Sequence, residues 1–389
     1  MRIAIVYDCL YPHTVGGAER WYRQLARRLA AAGHDVTYLT LRQWERGQDA
    51  GFDGVKVRAV GPRMALYAGG RRRILPPVVF GLGVGWHLLR RGRRIDVVHT
   101  ASFPYFSLLA AAGVRRVGRF DLVVDWHEAW TREYWVEYLG RLRGRIGWAV
   151  QGLCVRVGQR AFCFSRLYAE RLRRWGLRGP LRVLEGQYDG DLTPREPQPA
   201  EPLVVFAGRH IPEKRVPVLI PAIAAAQDRI PDLRAEILGD GPDRPRVQRL
   251  VAEHGLEHAI GLPGFVAAPE VERTLARALC LALPSRREGY GLVVLEASAV
   301  GTPSLVVAGP DNAATELVEH GVNGLVVDSA DPEALAEAIV QVHAAGDALR
   351  ASTAAWFADH ARRLSLAHSL EAVVEAYAGG DGRPLSARR

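Results

Sequence analysis

The sequence predicts an α/β protein of two domains, each built on a doubly wound parallel sheet. The chain has 389 residues, more than one ordinary hydrophobic core accommodates. In both halves, short apolar stretches alternate with segments of helical periodicity, the pattern of strands joined by crossover helices. A link rich in proline and acidic residues at 189–199 interrupts this alternation and marks the domain boundary.

The first half begins with an apolar strand. The helix after it is indicated by Trp21, Tyr22, Leu25 and Leu29, which recur at helical spacing. Further apolar stretches follow at intervals that suit strands. The predicted strands of this half are 3–7, 36–40, 95–99, 122–125, 161–164 and 182–184.

The second half repeats the alternation with clearer periodicity. An apolar stripe near the end of the chain predicts an amphipathic helix, and the last residues, 379–389, a loose tail. We therefore predict domains over 1–190 and 201–365, with 366–389 forming the last helix and tail. The predicted strands of this half are 203–207, 235–238, 279–283, 305–307 and 325–327.

Composition is that of a globular protein, with 48% hydrophobic and 24% charged residues. The first residues enter a strand directly, so no signal peptide is predicted. Cys9, Cys154, Cys163 and Cys280 lack the spacing of metal or redox sites, which favours reduced thiols in a cytoplasmic protein.

Positive charge is concentrated in the first half. Residues 1–180 carry 31 Arg or Lys against 13 Asp or Glu, whereas the rest of the chain carries 20 against 29. Such a basic half is typical of proteins that bind nucleic acid, an anionic membrane or a phosphorylated partner.

The sharpest local case is the segment 71–94, where arginine clusters flank an apolar run. The run is shorter than the roughly 20 residues that span a bilayer, and it contains two prolines and three glycines. Two interpretations stay open. The segment is either an ordinary helix packed on the sheet, or a helix that lies on an anionic interface with Trp86 and Phe80 inserted.

A strand, a glycine loop and a helix follow one another in residues 280–297. Gly289 and Gly291 let the backbone approach a ligand closely, and the N–H groups at the helix start favour an anion. Glu288 and Glu296 are acceptors for hydroxyl groups around that anion. A sugar joined to a nucleoside diphosphate presents both kinds of group.

Two cations follow the first strand of the second domain. Arg209 and Lys214 lie in the run Gly-Arg-His-Ile-Pro-Glu-Lys that begins at Gly208. The planar fork of arginine and the point charge of lysine both suit a diphosphate. Taken alone, however, the pattern is more typical of surface cations on a turn.

Two loops of the first domain also follow strands. Gly16 and Gly17 precede the first helix, where paired glycines permit close approach to phosphate; the alternative is a glycine turn with Glu19 as a capping acid. His127 ends another strand, at the edge where a doubly wound domain binds ligands. His99, on the preceding strand, is predicted to be structural.

Aromatic residues surround His127 in the sequence. They either stack on a sugar acceptor or pack in the core, and these two interpretations stay open for each of them. The residues are Trp126, Trp130, Tyr134 and Trp135.

The spacing of Glu288 and Glu296, with seven residues between them, resembles the signature of glycosyltransferase family 4, a retaining family with the GT-B fold. The Gly-Arg…Glu-Lys run and the Gly-Gly-x-Glu loop at Gly16 resemble further motifs of that family. The resemblance covers nearly all of 1–378 and is strongest over 203–328. It implies two Rossmann-like domains facing across a cleft, with the C-terminal helix crossing back to the first domain. The first domain would bind the acceptor, and the second the nucleotide-sugar donor.

The resemblance implies roles for the residues of the second domain. Arg209 and Lys214 would hold the diphosphate and stabilise the leaving group as its charge grows. Glu296 would bind the ribose hydroxyls, and Glu288 those of the sugar. The backbone that completes this contact with the sugar and diphosphate is that of Gly289, Tyr290, Gly291 and Leu292.

The remaining donor contacts are implied in the same way. Gly16 and Gly17 would meet the donor phosphates, and His127 would lie beside the transferred sugar, near its 6-position. Phe265 or Val266 would contact the nucleobase.

Three other positions belong to the same likeness. Asp240 is expected to shape a Gly-Asp-Gly-Pro turn, and Glu316 to support the site from a neighbouring loop. The chain departs from the family at Arg215, where a small residue or glycine is usual, and the following Pro217 leaves the local helix geometry open.

The predicted function is retaining transfer of a sugar from a nucleotide-diphosphate sugar to a hydroxyl of a glycan, lipid-linked sugar or natural product. No residue stands out as a covalent nucleophile, and the predicted site loops carry no Asp-x-Asp motif, so no metal or other cofactor is expected. No nucleic-acid module is evident. We expect a cytoplasmic protein, either free or at the inner face of an anionic membrane. The alternatives are a non-catalytic binder of nucleotide sugars or polyanions, and a sugar-nucleotide epimerase with the same fold.

Overall fold

The computed structural model describes residues 1–14, 16–45, 47–68 and 71–378. The chain divides into two compact units. Unit 1 comprises Met1–Glu185 and the segment Ala367–Arg389, and unit 2 comprises Gly186–Leu366. Val15 of the glycine loop and the predicted tail at 379–389 lie outside the described residues.

Unit 1 alternates strands and helices. Its strands are β1 (Arg2–Val6), β2 (Asp35–Leu41), β3 (Lys56–Gly61), β4 (Tyr67–Ala68), β5 (Arg71–Arg72), β6 (Val97–Ala101), β7 (Asp121–Trp126), β8 (Arg160–Cys163) and β9 (Leu181–Val183). Its helices are α1 (Gly17–Ala31), α2 (Leu75–Arg91), α3 (Phe106–Gly118), α4 (Arg132–Leu139), α5 (Arg141–Val155) and α6 (Arg166–Arg174).

Apart from β4 and β5, which form a separate antiparallel pair, the described strands of unit 1 form a seven-stranded sheet in the order β3-β2-β1-β6-β7-β8-β9. Every pair in it is parallel. The chain order reverses between β1 and β6, which pair directly. This is the doubly wound arrangement, in which ligands bind outside the carboxyl ends of the strands at the reversal.

Unit 2 repeats the arrangement. Its strands are β10 (Leu203–Ala207), β11 (Arg234–Leu238), β12 (Ile260–Gly264), β13 (Cys280–Leu283), β14 (Arg287–Glu288), β15 (Ser304–Val307), β16 (Asp311–Asn312) and β17 (Gly324–Val327). Its helices are α7 (Leu219–Gln227), α8 (Arg244–Glu253), α9 (Ala268–Arg277), α10 (Leu292–Ser298) and α11 (Pro332–Leu364). The main sheet is parallel, in the order β12-β11-β10-β13-β15-β17, and β14 pairs with β16 beside it.

The last helix, α12 (Leu366–Ala378), carries the chain back to unit 1. Val373 and Tyr377 are buried there, and Glu371 pairs with Arg28 of α1 (3.2 Å). The predicted crossing of the last helix is therefore confirmed, as is the prediction of two Rossmann-like parallel sheets.

Two strands of the two main sheets were not predicted from the sequence, β3 and β12, nor were the two-residue strands β4, β5, β14 and β16. Strands β3 and β12 are edge strands, and their side chains are largely half-buried or exposed, so they lack the apolar run that marks the central strands. The four cysteines are buried and form no disulfide, as expected for reduced thiols.

Helix α2 is the segment whose environment the sequence left open. It packs on the unit 1 sheet with Phe80 fully buried, so insertion of Phe80 into an interface is wrong. Trp86, in contrast, is 56% exposed. No helix in the described part of the chain is long and apolar enough to cross a bilayer.

Candidate functional site

The carboxyl edge of the unit 2 sheet brings three of the predicted segments together. Strands β12, β11 and β10 are neighbours there. The Gly239 amide donates to the Gly264 carbonyl (2.7 Å), and the His210 amide to the Asp240 carbonyl (2.8 Å). Gly239 has a φ of +119°, and a Cβ on it would overlap the Gly208 carbonyl oxygen, so only glycine permits this approach. These contacts fix the loop after β10, which carries the first predicted cation.

Lys214 and Glu288 meet at this edge. Lys214 Nζ donates to Glu288 Oε1 in an ion pair whose side chains are 20% and 8% exposed. The same oxygen accepts a hydrogen bond from the hydroxyl of Ser285 (2.7 Å), which is fully buried. The carboxylate of Glu288 is therefore held in place by the protein, and the cation next to it, Lys214, is partly exposed.

Asn312 holds the loop that carries the buried serine. Its Nδ2 donates to the carbonyls of Ser285 (3.1 Å) and Val307 (2.8 Å), and its Oδ1 accepts from the Ala314 amide (3.1 Å). Sequence reasoning did not assign this role. The one available signal was the preference of Asn for capping positions, since Asn312 caps the short turn Ala313–Leu317.

Arg209 is exposed, and its side chain makes no hydrogen bond or ion pair with the described residues. Its guanidinium is thus available to an anion. Arg215 adopts a φ of +50°, in the left-handed region that favours glycine, which accounts for the glycine usual at this position. The local geometry that the sequence left open is two short 3-10 turns, Pro212–Lys214 and Val216–Val218, before α7.

Gly291 ends the glycine loop and caps α10, with a φ of +99°. A Cβ there would lie 2.6 Å from the Cβ of Ala314. The position therefore requires glycine both for its positive φ and for lack of space. Leu292 is the first residue of α10, as expected, and Tyr290 is buried beside it. Glu296 is half-buried on the same helix.

The segment predicted to contact the nucleobase follows β12. Phe265 is 71% exposed, whereas Val266 is half-buried. An aromatic ring with so little protein contact, at the edge where ligands bind, is suited to stacking on a planar group.

His210 is a polar residue of this edge for which the sequence suggested no role. It is fully buried, and neither ring nitrogen has a hydrogen-bond partner among the described residues. Burial and the nearby cation of Arg244 lower its pKa, while Asp240 opposes them. The imidazole is therefore neutral and adds no charge to the site.

In unit 1, His127 follows β7 directly. Its ring stacks on Phe164 (centroids 4.5 Å apart, planes at 2°) and meets Tyr22 edge-on (6.0 Å). Burial lowers the pKa of His127, opposed by Asp125 and Glu128, so the ring is neutral at neutral pH. Its Nε2 is buried and has no partner among the described residues. Buried polar atoms in proteins are nearly always hydrogen-bonded, so this nitrogen is a candidate for contact with a water molecule or a ligand.

His99, one strand away, is structural as expected. His99 Nε2 lies 2.7 Å from Asp125 Oδ1, and His99 Nδ1 lies 2.6 Å from the Tyr377 hydroxyl of α12. The Trp21 indole donates to the second oxygen of Asp125 (2.7 Å). This buried chain of hydrogen bonds ties α12 and α1 to the sheet.

Three aromatic residues near His127 belong to the core. Trp126, Tyr134 and Trp135 are at most 6% exposed, so stacking of these three on an acceptor is wrong. The indoles donate to buried amides, Trp126 to Gln159 (2.9 Å) and Trp135 to Gln151 (3.2 Å). They support the loop that follows β7.

The glycine loop of unit 1 shows one clear constraint. Gly16 is the extended N-cap of α1, and a Cβ on it would collide with the carboxylate of Glu19, which is buried. A Cβ on Gly17 would meet nothing within 4 Å. The position of Glu19 supports the capping-acid interpretation at Gly16, and the phosphate contact stays a prediction.

Two family models match the chain. Residues 16–185 match the model described as glycosyl transferase 4-like domain, and residues 193–353 match glycosyl transferases group 1. The chain belongs to the family 4 type of glycosyltransferases. Its two Rossmann-like units are those of the GT-B fold.

Curated relatives of this chain have names that give different acceptors. The D-inositol 3-phosphate glycosyltransferase of Nocardioides sp. is 34% identical over 190 residues, 45% of this chain and 41% of the relative. A GDP-mannose-dependent phosphatidylinositol monomannoside mannosyltransferase of Mycolicibacterium smegmatis is 38% identical over 146 residues, 36% of this chain and 37% of the relative. The chain thus matches less than half the length of these relatives.

Solved structures show the same fold over nearly the whole chain. Sucrose-phosphate synthase of Thermosynechococcus elongatus aligns with a TM-score of 0.77 at 22% identity, over 97% of this chain and 98% of its own. Anabaena HepE in complex with UDP and glucose aligns with a TM-score of 0.71 at 19% identity, over 97% of this chain and 99% of its own.

Proposed function

We propose that this chain is a retaining glycosyltransferase that moves a sugar from a nucleotide-diphosphate sugar to a hydroxyl acceptor. The observation that carries the proposal is the pairing of Lys214 with Glu288, together with an exposed Arg209 in the same segment after β10. Two cations at the carboxyl edge of a parallel sheet suit a diphosphate, and an acid beside them suits sugar hydroxyls.

The donor groups are assigned by the chemistry of each position. Arg209 and Lys214 bind the diphosphate, Glu288 accepts hydrogen bonds from the sugar, and Glu296 from the ribose. Phe265, with its ring exposed, packs on the nucleobase. We also propose that His127 contacts the transferred sugar, because its buried Nε2 has no hydrogen-bond partner in the described part of the chain and a sugar hydroxyl can serve as one.

Transfer in this proposal needs no covalent intermediate on the protein. The bond from the anomeric carbon to the phosphate oxygen breaks, and the acceptor oxygen forms its bond on the same face. The departing phosphate takes the acceptor proton. Arg209 and Lys214 stabilise the charge that develops on the phosphate, the effect that usually contributes most to such catalysis. The two cations supply this stabilisation without a metal ion, so transfer is proposed to be metal-independent.

The acceptor class is a hydroxyl on a polyol or sugar, free or carried by a lipid. The names of the two curated relatives, with inositol phosphate and phosphatidylinositol mannoside acceptors, support this class. We propose a cytoplasmic enzyme with no nucleic-acid partner, in peripheral contact with an anionic membrane. These acceptors and the 31 arginines and lysines of residues 1–180 support that placement.

Transfer assays with UDP-glucose, GDP-mannose, ADP-glucose and dTDP-glucose test the proposal, with inositol 3-phosphate and simple glycosides as acceptors. One donor should yield a nucleoside diphosphate and a glycosylated acceptor, with and without EDTA. Lys214→Ala should lower the rate about a hundredfold. The matched control Arg246→Ala, an exposed cation of the same unit, should not change it.

Two results would contradict the proposal. Sugar epimerisation without any acceptor would assign the chain to the epimerases. Nucleotide-sugar binding with no turnover across the whole panel would favour the non-catalytic binder.

A further inference from the structure

Helix α2 exposes an apolar stripe along one side. Leu75, Leu82, Trp86 and Leu89 follow one another at spacings of seven, four and three residues, and they are 56%, 71%, 56% and 52% exposed. Such spacings place all four on one side of a helix, over a length of about 21 Å. This set of four residues, here called the α2 stripe, is an uncommon concentration of large apolar side chains on a protein surface.

The opposite side of α2 explains why the stripe faces outward. Phe80, Val84 and Leu88 are fully buried. Glycines on the flanks allow close packing, since a Cβ on Gly81 would lie 2.6 Å from Phe106 of α3 and one on Gly83 would overlap the Val60 carbonyl of β3. The helix is apolar on both sides, and its packing on the protein uses only one of them.

The charges around the stripe have one sign. Residues 71–119 contain ten arginines and a single acid, Asp96, which is already paired with Arg2 (2.7 Å). Arg90 lies over the ring of Trp86, with its guanidinium carbon 4.0 Å from the ring centre. Arg93, just beyond the helix, is exposed. The stripe is thus apolar and bordered by cations.

We propose that the α2 stripe docks unit 1 on the surface of an anionic lipid bilayer. The apolar side chains enter the boundary between headgroups and acyl chains, and the arginines contact lipid phosphates. A tryptophan at that depth places its apolar ring in the boundary and its polar edge toward water. Charge favours this occupant over a second copy of the chain, because a symmetric dimer through α2 would bring the arginines of both copies together.

The test is co-sedimentation of the full chain with vesicles, without nucleotide, so the result is independent of the proposed transferase activity. Wild type should bind vesicles of phosphatidylcholine with phosphatidylglycerol, bind phosphatidylcholine alone much more weakly, and be released by high salt. Replacing two stripe residues, Leu82→Ser with Trp86→Ser, should weaken binding to the anionic vesicles about tenfold or more. Replacing two cations, Arg90→Gln with Arg93→Gln, should do the same.

Matched controls come from unit 2. Phe265→Ser removes an aromatic ring that is 71% exposed, and Arg246→Gln with Arg249→Gln removes two exposed cations. Both should bind the anionic vesicles like wild type, and all variants should keep the wild-type melting temperature because the changed side chains are exposed. The proposal is overturned by absence of binding to anionic vesicles, or by equal loss in the controls. It is also overturned if wild type forms a dimer without lipid and the Leu82→Ser, Trp86→Ser variant is a monomer.

Discussion

Lys214 and Glu288 form an ion pair although 74 residues separate them in the sequence. Ser285 also donates to the paired Glu288 oxygen, and Asn312 fixes the backbone of Ser285. The carboxylate is therefore held by two loops, whereas the lysine is the more exposed partner. We expect the lysine, rather than the acid, to turn toward a bound diphosphate.

Glu288→Gln should separate the binding of the diphosphate by Lys214 from the binding of the sugar by Glu288. The substitution removes the anion that competes for Lys214, so a nucleoside diphosphate should bind as tightly as in wild type or more tightly. Transfer should fall about a hundredfold, because the sugar loses a charged acceptor. Calorimetry with the nucleoside diphosphate and initial rates with the nucleotide sugar check the two effects. Wild-type rates in this variant would remove Glu288 from the site.

His127→Ala tests the proposed sugar contact in unit 1. Transfer should fall about a hundredfold, while affinity for the nucleoside diphosphate, which lacks the sugar, should not change. Burial lowers the pKa of His127, so protonation of its ring should not affect the wild-type rate at neutral pH, and the rate should decline only below pH 6.5, as the ring becomes protonated. An equal loss of nucleotide affinity would show that the variant acts through folding instead.

Asp125 should stabilise unit 1 in a pH-dependent way. Burial raises its pKa, but the charge and hydrogen bond of His99 outweigh this and hold the pKa below the ordinary value of 3.8. A carboxyl with a depressed folded pKa contributes stability above its unfolded pKa and loses it as pH falls through the folded value. Asp125→Asn should therefore cost about 2 kcal/mol at neutral pH and less in acid. Melting temperatures between neutral pH and pH 3 check this, with the exposed Asp228→Asn as the control.

Gly291→Ala should disturb the start of α10. The added Cβ meets Ala314, and alanine is strained at a φ of +99°, so the cost should be about 3 kcal/mol. Gly255→Ala is the matched control, because its φ is +66° and a Cβ there meets nothing within 4 Å. This control should lose only the free energy of unfolding that backbone strain costs, about 1 kcal/mol. Equal melting temperatures for the two variants would mean that the contact with Ala314 relaxes without cost.

The central strands could be predicted because parallel strands buried on both faces are short apolar runs. Edge strands β3 and β12 could not, since half-exposed strands carry mixed residues. The side of α2 that faces the protein was also undetermined, because a helix apolar all round has no periodicity to orient it. Only the structure shows that Phe80 is buried and Trp86 is exposed.

The candidate site also contains residues that could be predicted from the sequence and residues that could not. Arg209, Lys214 and the two acids were found by resemblance to a family, not by spacing alone. The supports of the site were not found, because Ser285 and Asn312 act through hydrogen bonds between loops that a linear pattern does not contain. The same holds for His99 and Tyr377, which are 278 residues apart and meet in the core of unit 1.

The donor site in unit 2 is tested most directly by thermal shift of wild type, Arg209→Ala and the control Arg246→Ala with UDP, GDP, ADP and dTDP. A nucleotide at a hundred times its dissociation constant should stabilise the protein by about 2.7 kcal/mol. We predict that one nucleotide raises the melting temperature of wild type and of Arg246→Ala, and that Arg209→Ala loses the shift. No shift with any nucleotide, or an undiminished shift in Arg209→Ala, would contradict the account.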